Sequence, residues 1–354
     1  MKPLSRRDVI RTGAAAGVTL LTPARATFAA APEPQPITPA LIAAAQKEGK
    51  LSFYTSVELP VAEKVAKAFE AKYPGVSVRV ERSGAERNYQ RIAQEVASKI
   101  YACDITQSSD AAHFITWKRE GMLASYLTEE IARHYPAHDR DPDGMFASWR
   151  IYLSVIAYNT NLVKAEDAPK SFHDLLDPKW MGKLVKGHPG YSGTIMAATQ
   201  QMAATLGWDY FEKLAKQKVM QLQSAADPPK KIAAGERAVQ VDGGDYTIFQ
   251  LQDKGAPVEI VYASEGSPVI TGPMGIMKSS PNPNAARLFY QWAMGREGQQ
   301  VNVDVAALRS AHEQVAWRKG AKKLAELKVM KEDPAAVEAH SDEIKAKYTS
   351  YFKV

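Results

Sequence analysis

Short polar residues collect at the points where apolar segments of this sequence end. Hydroxyl groups, carboxylates and backbone amides at such positions can converge on a bound solute. A single Ser or Asp there can also cap a helix, so the grouping carries more weight than any one residue. The groups are Thr55, Ser56 and Glu58; Ser83 and Gly84; Ser108, Ser109 and Asp110; Ser192, Gly193 and Thr194; and Asp242, Asp245 and Tyr246. Together they predict a ligand-binding cleft.

The run Ser192-Gly193-Thr194 is the sharpest of these candidates. It follows a turn and opens a helical stretch, and the first amides of a helix have no partner inside that helix. Such amides attract an anionic group. We therefore expect an anion contact here, with plain helix capping as the alternative.

Guanidinium and aromatic side chains could complete the site. Arg87 lies near a predicted helix start beside a strand end, which makes it the best candidate for pairing with a carboxylate or phosphate. Tyr152 and Tyr191 are candidates for the walls of the cleft, although aromatic residues at strand ends also occur in cores. The remaining arginines that we considered, and expect to be surface charges, are Arg91, Arg150 and Arg309.

Enzymatic function has little support in the sequence. It contains no His-Glu-x-x-His, Gly-x-Ser-x-Gly or Walker-type phosphate loop. The rival interpretation is an exported hydrolase that uses Asp242 and Asp245 as acid and base, but their spacing alone does not define such a pair. Cys103 is the only cysteine and is expected to be a small buried residue. We expect a binding protein that is not an enzyme.

Hydrophobic periodicity indicates the elements that position these groups. Four-residue spacing predicts helices over 60–73 and over 86–100, the second with Tyr89, Ile92, Val96 and Ile100 on its apolar face. Alternation of strands and helices predicts sheets covered on both faces, with ligand at the carboxyl ends of the strands. The predicted strands are 51–54, 76–80, 104–107, 151–158, 183–187, 239–242, 258–262 and 271–277.

The first 31 residues are predicted to be an export signal. Arg6 and Arg7 precede a short apolar stretch over 13–21 and then small residues, which favours the twin-arginine type over an ordinary secretory signal. This segment carries five basic residues and one acidic residue, so without it the formal net charge falls from +6 to +2. With no basic stripe elsewhere, we expect no nucleic-acid partner. The apolar stretch is too short to span a bilayer.

Several short runs occur in an order typical of one family. They are LSFYTS at 51–56, FEAKYPG at 69–75, DPKWMGK at 177–183, AAGERAV at 233–239 and KSSPNPNAA at 278–286. Over roughly Lys50 to Arg318 the chain resembles the periplasmic substrate-binding proteins of ABC importers, in the group with ferric-iron-, thiamine- and aminoethylphosphonate-binding members. The resemblance implies a periplasmic, monomeric protein that encloses a small solute and delivers it to an inner-membrane permease.

The resemblance also implies an α/β fold of the two-lobed type II, in which each lobe is a mainly parallel sheet flanked by helices and the cleft lies between the lobes. More than 300 mature residues exceed what one core usually serves, which agrees with two lobes. The expected organisation is an N-terminal arm over 32–44, a first lobe over 45–150 plus 266–310, a second lobe over 151–265 and a C-terminal helical tail over 311–354.

Iron-binding members of the family use two adjacent tyrosines, and this sequence departs from that pattern. The matching positions are Asp245 and Tyr246, the family's histidine matches Glu58, and Gly243 stands where an amide side chain often helps to hold the anion. Ferric iron held by Glu58, Asp245 and Tyr246 is therefore the alternative. We favour a small solute bearing a carboxylate or phosphate, and we expect no cofactor.

Overall fold

The computed structural model describes residues 32–319 and 321–354. The predicted export signal over 1–31 lies outside these described residues. Among the helices that are described, none combines the length and the apolar character that a membrane crossing requires. In chain order the helices are α1 (Pro39–Glu48), α2 (Leu59–Lys72), α3 (Ala85–Ala97), α4 (Ala112–Arg119), α5 (Glu129–His134), α6 (Gly193–Leu206), α7 (Trp208–Ala215), α8 (Pro228–Ala233), α9 (Asp245–Gln252), α10 (Pro283–Met294), α11 (Arg296–Ala306) and α12 (Pro334–Phe352).

The first of two sheets combines strands from both ends of the chain. β1 pairs in parallel with β2 and β3, whereas β10 runs antiparallel to β3 and to β4 and parallel to β11. Its core contains Phe53, Phe69, Trp149 and Phe289, all fully buried. The strands are β1 (Lys50–Thr55), β2 (Ser77–Arg82), β3 (Ile105–Gln107), β4 (Ala147–Leu153), β10 (Ser267–Ile276) and β11 (Val329–Met330).

The second sheet is built from the middle of the chain and has its own core around Phe172, Phe211 and Leu214. β6 pairs in parallel with β7 and β8, and β5 pairs antiparallel with β8 and β9. This sheet is mixed, because β5 runs antiparallel to both of its neighbours whereas β6, β7 and β8 pair in parallel. Its strands are β5 (Ile156–Asn159), β6 (Leu184–Gly187), β7 (Met220–Leu222), β8 (Val239–Gln240) and β9 (Val258–Val261).

The single strand predicted over 151–158 is in fact two strands, β4 and β5, which lie in different sheets. The backbone amide of Ser154 donates to Pro268 O of β10, at 2.8 Å, while that of Val155 donates to Gly243 O, which follows β8, also at 2.8 Å. Two consecutive amides thus bond to different sheets. The apolar sequence over 151–158 did not reveal this crossover, because a buried strand of either sheet has the same apolar character.

The helix predicted over 86–100 begins and ends earlier than expected. α3 ends at Ala97, and Lys99 takes a left-handed backbone conformation with φ of 57°. Ile100 is 57 % exposed, so the prediction that it continues the apolar face is wrong. Tyr89 and Ile92 pack under the first sheet as expected, beside the buried Cys103.

The C-terminal helix α12 contacts both halves of the molecule. Glu338 of α12 forms an ion pair with Arg119 of α4, a helix on the side of the first sheet. Near the other end of α12, Tyr348 is fully buried and its hydroxyl donates to Gln221 Oε1 of β7, at 2.8 Å. The C-terminal tail therefore contacts both halves of the molecule.

Candidate functional site

A polar cleft of about 240 Å³ lies where the carboxyl ends of β1 and β2 face the start of α6. Strand ends and a helix start meet there because the loops after parallel strands all emerge on the same edge of a sheet. A polar cleft of this size suits a small solute. The lining residues are Ser56, Glu58, Arg82, Gly84, Ala85, Arg87, Ser109, Arg150, Tyr191, Ser192, Gly193, Thr194, Gln223, Ser224, Ala225, Ala226, Asp227 and Tyr246.

Nine of the residues expected to bind ligand are in this lining. They come from five separate stretches of the chain, so the fold brings together groups that are far apart in sequence. The nine are Ser56, Glu58, Gly84, Arg87, Ser109, Ser192, Gly193, Thr194 and Tyr246. The wall candidate Tyr191 also lines the cleft. The candidates that do not line it are Thr55, Ser83, Ser108, Asp110, Tyr152, Asp242 and Asp245.

Three of the residues outside the lining stabilise the cleft loops through hydrogen bonds. Thr55 Oγ1 donates to Gln107 Oε1 at 2.8 Å, and the Ser108 hydroxyl lies 3.0 Å from His113 Nδ1. The amide of Ser83 donates to Thr55 O at 3.1 Å. Their polar groups hold strand ends together and are not directed to a ligand.

The start of α6 is packed tightly against the opposite side of the cleft. Ser192 caps the helix, with its Oγ accepting from the amide of Ile195 at 3.4 Å. A β-carbon placed on Gly193 would lie 2.7 Å from Cβ of Asp110 and 2.9 Å from Cβ of Ala85. Glycine is therefore required here by the close approach of the two halves, and Gly193 and Thr194 of this helix start line the cleft.

Arg150 forms part of the cleft floor and is not the surface charge that we expected. Only 1 % of the residue is exposed. Its Nη2 donates to Ser56 Oγ at 3.2 Å, and its guanidinium lies 5.2 Å from the ring centre of Tyr152. Nε and Nη1 are buried without a hydrogen-bond partner. A buried cation thus keeps two donors available beside the cleft.

A hydrogen bond crosses the cleft between Tyr246 and Glu58. The Tyr246 hydroxyl donates to Glu58 Oε1 at 2.7 Å, while Glu58 Oε2 is buried without a partner. Burial, and then the Glu58 charge, raise the pKa of Tyr246 well above its usual value. Tyr152 packs edge-on against the Tyr246 ring and its hydroxyl lies 2.7 Å from Thr194 Oγ1, so it holds lining residues in place.

Asp245 and Asp242 are directed away from the cleft. Asp245 is fully buried, accepts from the amide of Leu153 at 3.1 Å and pairs with Arg309 at 2.6 Å. Asp242 is fully buried in an ion pair with Lys186. Burial raises the pKa of both carboxyls. The acid–base pair expected of a hydrolase is therefore not assembled, and neither is the three-donor iron site. Arg309 is 5 % exposed, so it is an internal charge partner and not the surface residue that we expected.

One wall of the cleft was not predicted from the sequence. The loop over 223–227 follows β7, a three-residue strand that the periodicity did not reveal. Arg87 reaches across to this loop and donates to Gln223 Oε1 at 3.0 Å. Asp227 precedes Pro228-Pro229 at the start of α8, and that Asp-Pro helix start was the available signal for a loop at a strand end. Arg82, at the end of β2, was also missed.

Comparison with known proteins places the chain among solute-binding proteins. A family model described as bacterial extracellular solute-binding protein matches residues 55–300. A solved structure of the periplasmic binding protein AfuA from Actinobacillus pleuropneumoniae, with exogenous fructose-6-phosphate bound, is 25 % identical, covers 86 % of this chain and 99 % of its own, and has a TM-score of 0.79. Iron-bound HitA from Pseudomonas aeruginosa is 23 % identical over 85 % of this chain and 99 % of its own, with a TM-score of 0.74.

A curated relative is similar over a shorter span. The probable ABC transporter periplasmic-binding protein y4fP from Sinorhizobium fredii is 22 % identical over 234 residues, which is 64 % of each chain. The solved structures share the two-sheet architecture described above. The AfuA structure contains bound fructose-6-phosphate, and the HitA structure contains bound iron.

Proposed function

We propose that this chain, which belongs to the bacterial extracellular solute-binding proteins, captures a small organic anion in its cleft for an ABC importer. The observation that carries the proposal is the buried Arg150, whose Nε and Nη1 have no hydrogen-bond partner among the described residues. Buried polar groups are nearly always hydrogen-bonded, and a buried charge needs a counter-charge. A carboxylate or phosphate in the cleft supplies both.

The charges of the wall agree with an anionic solute. Three basic side chains, Arg82, Arg87 and Arg150, line the cleft with two acidic ones, Glu58 and Asp227. Guanidinium groups are well shaped for the oxygens of a carboxylate or phosphate. The first amides of α6 add partial positive charge at the same place, so the anionic group is expected between Arg150 and the start of this helix.

A second free group indicates what else the solute carries. Glu58 Oε2 is buried without a donor, and a hydroxyl group of the ligand would satisfy it. A solute with an anionic end and at least one hydroxyl group fits both requirements. The fructose-6-phosphate bound to AfuA is of this class.

Ferric iron is a second candidate, favoured by one contact. Tyr246 and Glu58 bring two oxygen donors within 2.7 Å of each other, and oxygen ligands suit a hard cation. The third expected donor, Asp245, is committed to Arg309. An iron site would have to draw its remaining ligands from the solute or from a synergistic anion.

The proposed lobes are the sequence-derived ones, 45–150 plus 266–310 and 151–265, with the tail over 311–354. The chain passes between the two sheets at Ser154-Val155 and again between β9 and β10. These two extended segments are suited to a hinge, while α12 forms a third connection between the halves through Arg119 and Gln221. We propose that lobe closure traps the solute without turnover, that the protein acts as a monomer, and that a permease recognises the closed form.

Export to the periplasm by the twin-arginine pathway is part of the proposal. Arg6 and Arg7 are the residues on which it depends. Cell fractionation of a strain that makes the Arg6→Lys/Arg7→Lys double variant tests it. We expect the precursor to accumulate inside the cell, and normal export of that variant would contradict the pathway.

Arg150→Met provides the test of the anion site. Methionine keeps most of the buried volume but removes the counter-charge, so affinity for an anionic ligand is expected to fall by roughly 100-fold, about 2.8 kcal/mol. The measurement is isothermal titration of the mature chain with fructose-6-phosphate, inorganic phosphate, citrate and ferric citrate. Mass spectrometry of ligand released from natively purified protein extends the panel.

The matched control is Arg91→Met, since Arg91 pairs with Glu81 and Glu95 outside the cleft. It should leave affinity unchanged. Equal affinity of the Arg150→Met and wild-type proteins for every anionic ligand would overturn the anion site. A visible charge-transfer band on adding ferric citrate, lost in Tyr246→Phe, would favour iron, and chemical conversion of any bound ligand would contradict the binding function.

A further inference from the structure

Two histidines and a glutamate meet on the first sheet's side of the molecule, away from the cleft. Glu130 and His134 lie one turn apart on α5, and His312 belongs to the loop after α11. One ligand atom from each residue lies within 4.8 Å of the other two. The Glu130 and His312 side chains are 2.7 Å apart, and the two imidazole rings stack with centres 4.9 Å apart.

We propose that this cluster is a binding site for a divalent transition metal ion of the Zn²⁺ type. Residues four apart on a helix share a face, which is why such pairs chelate metals. Two imidazoles with one carboxylate are a donor set that Zn²⁺ takes in proteins, leaving a fourth position for water or another ligand. A hard cation such as Ca²⁺ would require more oxygen ligands than the cluster offers.

The surroundings of His134 are arranged as they are around metal-binding histidines. Its Nδ1 lies 2.9 Å from Glu313 Oε1, and the amide of Glu313 donates to His134 O at 3.1 Å. A carboxylate that accepts from one ring nitrogen fixes the tautomer and leaves the other nitrogen free as a ligand. Glu313 can therefore orient His134 or serve as the fourth ligand.

Loading with metal requires one local exchange at His312. In the metal-free state its Nδ1 accepts from the amide of Gln314 at 3.2 Å, so Nε2 carries the proton that faces Glu130. Coordination through Nε2 displaces this proton to Nδ1 and gives up the long bond from Gln314.

The solvent exposure and the negative charge of the two glutamates also favour binding of a cation. Glu130 and Glu313 have side chains 44 % and 63 % exposed, whereas the side chain of His312 is fully buried. An ion can enter from solvent and reach a buried imidazole at the bottom of the site. The bound ion would join α5 to the start of the C-terminal tail, which predicts a gain in stability on binding.

The test is titration of the chelator-treated mature chain with ZnCl₂, followed by calorimetry and thermal unfolding. We expect one tight site and a rise in Tm, and Co²⁺ should give the visible absorption of a low-coordinate ion. His134→Gln and Glu130→Gln should each weaken binding at least tenfold. These residues are partly exposed, so both variants are expected to fold. The matched control is His138→Gln, an exposed histidine nearby.

Three results would overturn the site: no binding at micromolar Zn²⁺, equal binding in the His134→Gln and control variants, or loss of binding in Glu58→Gln. The last would put the ion in the cleft. The anion site is tested with anionic ligands in Arg150→Met and this site with ZnCl₂ in His134→Gln, so failure of one site and failure of the other give different results.

Discussion

At the scale of single residues, the cleft is defined by polar atoms that the protein leaves without partners. Two nitrogens of Arg150 and one oxygen of Glu58 are buried in this way. An unsatisfied buried polar atom costs on the order of 1–3 kcal/mol, so three at one place would be a large burden unless a ligand met them. The position of these atoms, more than the shape of the cleft, indicates what the solute must offer.

Tyr246→Phe is expected to weaken ligand binding roughly tenfold. The phenol donates to a carboxylate, and such bonds contribute on the order of 1.5–3 kcal/mol; losing this one also leaves both oxygens of Glu58 without a donor. The measurement is the dissociation constant for whichever anion binds best. Tyr158→Phe, a buried tyrosine of β5 outside the cleft lining, is the control. Unchanged affinity in Tyr246→Phe would remove this residue from the site.

At the scale of elements, the start of α6 acts as the point of contact between the two halves. Its position depends on β6, which leads into the turn before the helix, and on Gly193. Capping by Ser192 and attraction of an anion are compatible, since the serine side chain satisfies one amide and the neighbouring amides remain.

Gly193→Ala is expected to lower ligand affinity at least tenfold while the fold is kept. The new methyl group would collide with β-carbons of Ala85 and Asp110, which cannot move aside as a flexible side chain could. Relief comes from holding the halves apart, so small-angle scattering with ligand should give a larger radius of gyration than wild type, and circular dichroism should be unchanged.

The double variant Gly193→Ala/Ala85→Gly serves as the matched control for this collision. It removes one of the two clashing atoms and should recover part of the affinity. Full affinity and normal compaction in the single variant would mean that the close approach of α6 is not needed for binding.

At the scale of the whole molecule, the C-terminal tail connects the two halves and contributes a pH-sensitive contact. Glu332 precedes α12 and accepts from the amide of Thr271 at 3.2 Å, with its second oxygen 2.5 Å from Thr271 Oγ1. Burial of the carboxyl, with smaller contributions from the charges of Asp110 and Asp139, raises its pKa to about 8. The folded chain therefore holds a proton that the unfolded chain releases at lower pH.

The free energy of unfolding is accordingly expected to fall as the pH rises toward 8, because the folded state binds more protons than the unfolded state in that range. Glu332→Gln stays neutral and can keep both contacts to Thr271. We expect the variant to match wild type at pH 5 and to exceed it at pH 9 by more than ~1.4 kcal/mol, the equivalent of one pKa unit. Urea unfolding at the two pH values measures this, with the exposed Glu166→Gln as control. A parallel pH dependence of Glu332→Gln and wild type would rule out this role for Glu332.

The sequence by itself determined the polar groups that follow β1, β2 and β3, the helix start at Ser192 and the position of Tyr246. These are local patterns: an apolar period sets the element, and a polar residue at its end is directed to the sheet edge. The same patterns gave the α/β class and, with the order of short motifs, the solute-binding family.

Only the tertiary structure decided which charged residues reach the cleft. Arg150 lies within β4, Asp245 begins α9 and Arg309 follows α11. Arg150 lines the cleft, whereas Asp245 and Arg309 form an ion pair in the interior. The crossover at Ser154-Val155 and the wall over 223–227 were equally hidden. The physical reason is that ion pairing and strand partners depend on distances between segments far apart in the chain, which residue spacing does not encode.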